Sequence, residues 1–337
     1  MSPQRERDIV DRRTAMIVGL ALGVPVSGLF LWLAIRGADL SQVRKALGEA
    51  RVPPLVLAGT AFVVVYAAQA ERWRRIAAVR TVGWRTFAEL VVSSVACNNV
   101  LPARIGDLLR ARWLGRRAAL PAGRALASVV LDRACDLVVL FALLLATLPE
   151  VAGSGWSYRI AGGTLVLLVG VVVLLVFARA YTRRRARARL ASRNLVRRIF
   201  RDVVEGLAEP MGRARLATAI ALSAVTWLAF AGASIGVGRS VGIHLRVVDA
   251  LFVTAVINLG VAIPSSPGFV GTYQWLGVAS LDLVGIDRSR ALAFAILLQA
   301  IWFVPTTLVG GGLLAARGVR RMTASESLRR SGSESAS

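Results

Sequence analysis

The chain has 337 residues, 56% of them hydrophobic, with a mean hydropathy of +0.62. Its 42 lysines and arginines outnumber 19 acidic residues for a net charge of +23, yet the arginines fall between apolar segments rather than along one soluble face. That distribution argues against a nucleic-acid partner and fits a multi-pass membrane protein with basic loops held on the cytoplasmic side.

In chain order, Ala15 to Ile35 runs without a charge for about the 20 residues that a helical span needs. Arg5, Arg7, Arg12 and Arg13 before it resemble a signal-peptide start, but the apolar run is too long and has no small-x-small exit, so an uncleaved anchor is expected. Asp39 to Arg51 reads as a short amphipathic helix. Further spans are expected at Val52 to Ala70, about Ala125 to Leu148, Tyr158 to Ala178, Leu216 to Gly236 and Ala291 to Ala315. Between them, residues 86–114 and 247–284 are apolar but interrupted by Pro and Gly, and read as broken or re-entrant helical hairpins. The fold class is thus an all-α transmembrane bundle of about six full spans plus two broken hairpins, one membrane domain over residues 1–321 with a tail at 322–337 expected to be disordered.

Arginine placement orients this bundle. The N-terminus, the loop from Glu71 to Arg85, the basic loop over 179–215 and the C-terminal tail are expected in the cytoplasm, and the connections at Pro149 to Ser157 and Arg239 to Arg246 outside. Within 179–215, Leu195, Ile199, Phe200 and Val203 recur at helical spacing among Arg193, Arg197, Arg198 and Arg201, either an amphipathic helix on anionic headgroups or a basic topogenic loop.

The two interruptions are alike. Asn99 precedes Pro102 and Gly106 in the first, and Asn258 precedes Pro264, Ser265, Ser266, Pro267 and Gly268 in the second. Paired breaks in two halves point to a binding site near the bilayer midplane, and even passes in each region would make the halves an inverted repeat with Asn99 and Asn258 meeting from opposite faces.

Charges gather after the first break: Arg104, Asp107, Arg110 and Arg112, then Asp132, Arg133 and Asp136 inside a helix that must extend back through them to cross the core. Charges at the centre of a bilayer cost roughly 2.5–3.5 kcal/mol each and persist when paired or facing a cavity. Two readings follow: an ion-pair network clamping helices, or a site where Arg104, Arg110 or Arg133 grips a phosphate through its planar fork. The second half offers only neutral groups, Asn258, Ser265, Ser266, Tyr273 and Gln274.

Other chemistry is scarce. Lys45 is the only lysine and Ala46 follows it, so there is no Walker A loop; His244 is the only histidine, which removes His-x-x-x-His zinc sites and makes a Ser-His-Asp triad improbable. Cys97 and Cys135 sit in apolar segments and support neither a disulfide framework nor a thiolate metal site. No cofactor or metal is expected.

At these residues the chain resembles the transmembrane region of lysylphosphatidylglycerol synthases, also described as flippase-like or UPF0104 integral membrane proteins. Asn98-Asn99-Val-Leu-Pro102-Ala-Arg104-Ile-Gly106-Asp107-Leu-Leu-Arg110-Ala resembles the family's Asn-x-x-x-Pro-x-x-x-Gly-Glu-x-x-Arg-Ala signature, with Asp107 for Glu. Leu131-Asp132-Arg133-Ala-Cys135-Asp136 resembles its Glu-Arg-x-x-Asp element, and Pro264 through Gly271 its Pro-x-Ser-Pro-Gly-Gly-x-Gly stretch. Where the family places Glu and then Arg in the second half, this chain has Gln274 and Gln299. The resemblance implies handling of amphipathic lipids. Its bifunctional members append a soluble aminoacyl-transfer domain, which this sequence does not contain, so lysylphosphatidylglycerol synthesis is not expected of it. The expected function is transfer of a phosphate-bearing or polyprenyl-linked lipid across the inner membrane. Alternatives are an accessory subunit of a lipid- or glycan-modifying system, with a lipid-modifying enzyme or a second copy as partner, and an intramembrane transferase using Asp132 or Asp136 as base.

Overall fold

A computed structural model describes residues 27–101, 104–151, 211–261 and 267–334, together with Pro25 and Val203. Among these residues every regular element is helical. Residues 27–35 form α1, the end of the first expected span. The amphipathic candidate is helix α2, Leu40–Gly48, capped by Asp39, whose carboxylate accepts from Ser41 N at 2.8 Å and Gln42 N at 3.4 Å. Helix α3, Val52–Ala77, opens with Pro53 and Pro54, whose missing N–H groups have no intrahelical acceptor to lose there.

The first interrupted region is a pair of short helices, α4 (Trp84–Val100) and α5 (Ile105–Arg117). They run antiparallel: Gly106 at the start of α5 lies against Ser94 and Asn98, and Arg117 at its end lies 3.7 Å from Glu89. A Cβ at Gly106 would collide with the Ser94 carbonyl, so the hairpin closes only around glycine. Helix α6, Ala122–Val151, carries the three charges of the second motif, and α7 is Arg213–Ser240. The second interrupted region is α8 (Val247–Gly260), a 3₁₀ turn at Pro267–Phe269 and α9 (Thr272–Asp282). Helix α10 spans Arg288–Glu334. Its backbone is helical through the Ser-, Glu- and Arg-rich stretch, where composition alone points to irregular chain; a helix nucleated in the preceding span propagates at one hydrogen bond per residue.

Among the described residues three helices are long and apolar enough to cross a membrane, Val52–Ala77, Arg213–Ser240 and Arg288–Arg317. The 30 residues of α6 give it about 45 Å of length. The expected span at Tyr158 to Ala178 and most of the basic loop at 179–215 lie outside the described residues.

Small residues set the closest approaches. Gly236 of α7 packs on Pro54 and Ala58 of α3, and Gly310 of α10 on Val92 and Ala96 of α4. One core joins α3, α6, α7, α8, α9 and α10, with Phe62 edge-on to Phe230 at 5.2 Å. A second forms where the end of α3 meets α4, α5 and α6, with Trp73 edge-on to Phe87 at 5.0 Å. Val52, Val56, Leu57, Val63 and Val64 of α3 are exposed, as a lipid-facing stripe requires.

Candidate functional site

The charged residues after the first break close into a ring. Arg72 Nε donates to Asp132 Oδ1 at 2.7 Å, and Arg110 Nη2 to Asp132 Oδ2 at 3.0 Å. Arg110 Nε lies 3.2 Å from Asp107 Oδ1, and Asp107 accepts from Arg133 Nη2 at 2.8 Å and Nε at 3.1 Å. Arg133 Nη1 lies 3.6 Å from Asp136 Oδ2, and Asp136 returns to Arg72 through both carboxylate oxygens, Arg72 Nη2 donating to Oδ2 at 2.8 Å. Three arginines thus alternate with three aspartates for a net charge of zero. Ser223 and Trp227 of α7 add donors to Asp136 Oδ1, the indole at 2.9 Å, and the Arg110 guanidinium lies 4.8 Å from the centre of the Trp73 ring. The ring ties α3, α5, α6 and α7 together. Burial of this many charges is tolerable because each carboxylate faces two guanidinium groups.

Arg72 is the ring member that sequence reasoning missed. Arginine placement alone puts it in the loop from Glu71 to Arg85, but α3 continues to Ala77 and carries Arg72 into the interior, with 0% exposure. The available signal was three acidic and two basic residues at Asp107, Arg110, Asp132, Arg133 and Asp136, a set one cation short of neutrality.

Arg104 stands apart from the ring. It is the N-cap of α5 in the left-handed region, φ 52°, and among the described residues it has no carboxylate within ion-pair distance. Its Nη2 donates to the Val261 carbonyl at 2.7 Å, at the end of α8, and its guanidinium lies 5.3 Å from the Phe269 ring centre. Phe269 is itself left-handed, φ 59°. Such backbone costs about 1–2 kcal/mol per residue unless surroundings compel it. Next to it Gly268, φ 68°, packs on the Asn99 carbonyl and Phe303 so closely that a Cβ would sit 2.6 Å from the Phe303 ring. The two breaks therefore meet. Arg104 Nε and Asn99 Oδ1 are buried there without a hydrogen-bond partner among the described residues.

The remaining expected residues divide between supports and bystanders. Asn98 Oδ1 accepts from Gly106 N at 2.8 Å, holding the start of α5 to α4. Asn99 and Asn258 do not bond to each other. Asn99 Nδ2 reaches Thr307 Oγ1 of α10 at 2.8 Å, and Asn258 Nδ2 turns back to Thr254 O at 2.8 Å, because an amide at that position finds an acceptor one helical turn away. Gln274 Oε1 accepts from Gly271 N at 2.7 Å at the start of α9; its amide donates to Gln299 Oε1, and Gln299 donates to the Gly268 carbonyl at 2.6 Å. This neutral chain of amides fixes the second break without charge. Pro102, Ser265 and Ser266 lie outside the described residues. Cys97 and Cys135 are free and buried, and no cluster of potential metal ligands occurs among the described residues.

A family profile described as the lysylphosphatidylglycerol synthase TM region matches residues 16–310. The chain is 27% identical over 363 aligned positions to the protein named glycosyltransferase AglD of Haloferax volcanii, covering 95% of this chain and 57% of that relative's length. It is 24% identical over 217 positions to UPF0104 membrane protein MJ1078 of Methanocaldococcus jannaschii, covering 63% of this chain and 90% of that protein. With this match over most of its length, and with helices able to span a bilayer, the chain belongs to the membrane protein family of the lysylphosphatidylglycerol synthase transmembrane region.

Proposed function

We propose that this protein moves a phosphate-bearing amphipathic lipid between leaflets, holding the phosphate at the junction of its two helix breaks. Arg104 carries this reading. It is a guanidinium bridging the two breaks with no carboxylate in ion-pair distance among the described residues, whereas Arg110 and Arg133 are committed to the ring. Helices α5 and α9 both begin at the breaks, so their positive N-terminal ends add to the cation there. A phosphate would take the unused Arg104 donor, and the neutral Gln274–Gln299 pair would leave the site net positive. In this reading the hairpins are re-entrant from opposite faces, about six further segments cross the inner membrane, and both termini lie in the cytoplasm.

The similarity of 95% of this chain to part of a protein named a glycosyltransferase favours a second reading, a membrane partner in glycan transfer onto a lipid carrier. Purified protein in liposomes carrying a leaflet-resolved labelled phospholipid or polyprenyl phosphate separates the two. Transfer between leaflets without conversion supports the proposal; unchanged leaflet distribution of both lipids defeats it.

A further inference from the structure

At one end of the α3–α7 pair lies a second basic feature, away from the breaks. The last turn of α3 and the turn following it meet the first turn of α7 around a cavity of about 530 Å³, lined by Arg74, Arg75, Arg80, Gly83, Arg215 and Thr218 among others. Glu71 is the only carboxylate paired with any of these arginines among the described residues. It accepts from Arg74 Nε and Nη2, both at 2.7 Å, and from Arg75 Nε at 2.6 Å. Among the described residues Arg80 and Arg215 have no such partner, and Arg215 Nε is buried without a hydrogen bond. Among the described residues, four cations against one anion leave a surplus of three. The helix ends modify this field: the C-terminus of α3 is negative but carries Arg74 and Arg75 in its last turn, while the uncapped N-terminus of α7 is positive. Exposed Trp84 flanks the cavity at the level where a spanning helix leaves the apolar core.

We infer that this cavity is a phosphate site at the membrane interface, filled by the headgroup of an anionic phospholipid bound between α3 and α7. Arg80 and Arg215 supply the free forks, and Arg74 and Arg75 share theirs with Glu71. The cavity is independent of the junction at Arg104.

Lipid-depleted full-length protein offered phosphatidylglycerol or phosphatidylcholine, with bound lipid counted by native mass spectrometry, tests this, alongside thermal stabilisation by inorganic phosphate. Wild type should retain phosphatidylglycerol preferentially. Arg80→Gln with Arg215→Gln should lower that retention by about fivefold per arginine. Arg44→Gln with Arg239→Gln, which removes equal charge from exposed positions elsewhere, should not. Arg80→Gln alone, in an exposed turn, gives the single-arginine loss without touching a helix interior. If stabilisation by inorganic phosphate is lost in the site variant while lipid retention is kept, the site holds free phosphate, and the headgroup assignment is overturned. If neither readout differs between the site variant and the control, the cavity binds no phosphate and the inference fails. Arg104→Gln should leave the contribution of Arg80 and Arg215 intact, so failure here and failure of the proposed transport are distinguishable.

Discussion

Arg72 and Arg104 place one residue type in two settings, the first inside the ion-pair ring and the second outside it on the Val261 carbonyl. All three of Arg72's guanidinium nitrogens face acceptors on α6 or α7. Arg72→Met would strand Asp132 and Asp136 with part of their compensation gone, and breaking a buried pair costs about 3–5 kcal/mol. The expected outcome is a marked fall in thermal stability in detergent, with little folded protein at growth temperature. Arg110→Lys should behave similarly but more mildly, because an ammonium cannot span Asp107 and Asp132 with a planar fork. A stability equal to wild type in Arg72→Met would show that the ring is dispensable.

At the scale of elements, the hairpins depend on close backbone approach. Gly106→Ala places a methyl 2.6 Å from Asn98 Oδ1 and against the Ser94 carbonyl, and overpacking of this kind costs about 1–3 kcal/mol. Hydrogen exchange in α4 and α5 should rise, whereas Gly232→Ala, with open space around it, should change nothing. Helix α2 gives a pH dependence. The Ser41 hydroxyl and amide hold the Asp39 carboxyl below its ordinary value, so the cap is present in full above the unfolded pKa and is lost as pH falls through the lower folded value. Exchange protection of α2 should therefore persist at neutral pH and drop only below about pH 4. Asp39→Asn, which keeps an acceptor, should remove most of that acid transition; an unchanged transition would assign it to another group.

The breaks themselves were legible in the sequence because Pro102, Pro264 and Pro267 with Gly268 fall within apolar segments, where such residues disfavour an unbroken helix. The spans at α3, α7 and α10 were legible from apolar length alone. The ring was half legible: i, i+3 spacing joins Asp107 to Arg110, but Arg72 is 60 residues from Asp132 and lies past the apolar run of α3, where only the fold carries it inside. Nor could spacing separate Arg104 from Arg110, since only the fold brings the Val261 carbonyl and the Phe269 ring to one of them and aspartates to the other.

On the scale of the whole molecule, α3 and α7 pack antiparallel, with the basic cavity at one end and the Arg239 to Arg246 connection at the other. In a background without Cys97 and Cys135, Thr81→Cys should label only from the cytoplasmic side and His244→Cys only from outside. Labelling of both from one side would overturn the orientation. The central claim is the division of labour between a neutral clamp and a free cation at the junction of the breaks. Arg104→Gln in proteoliposomes, with leaflet transfer of a labelled anionic phospholipid measured beside thermal stability, tests it most directly. The account predicts stability close to wild type with transfer reduced at least about tenfold, as expected for a lost charge-assisted contact to phosphate. Full transfer by a stable Arg104→Gln protein would contradict it.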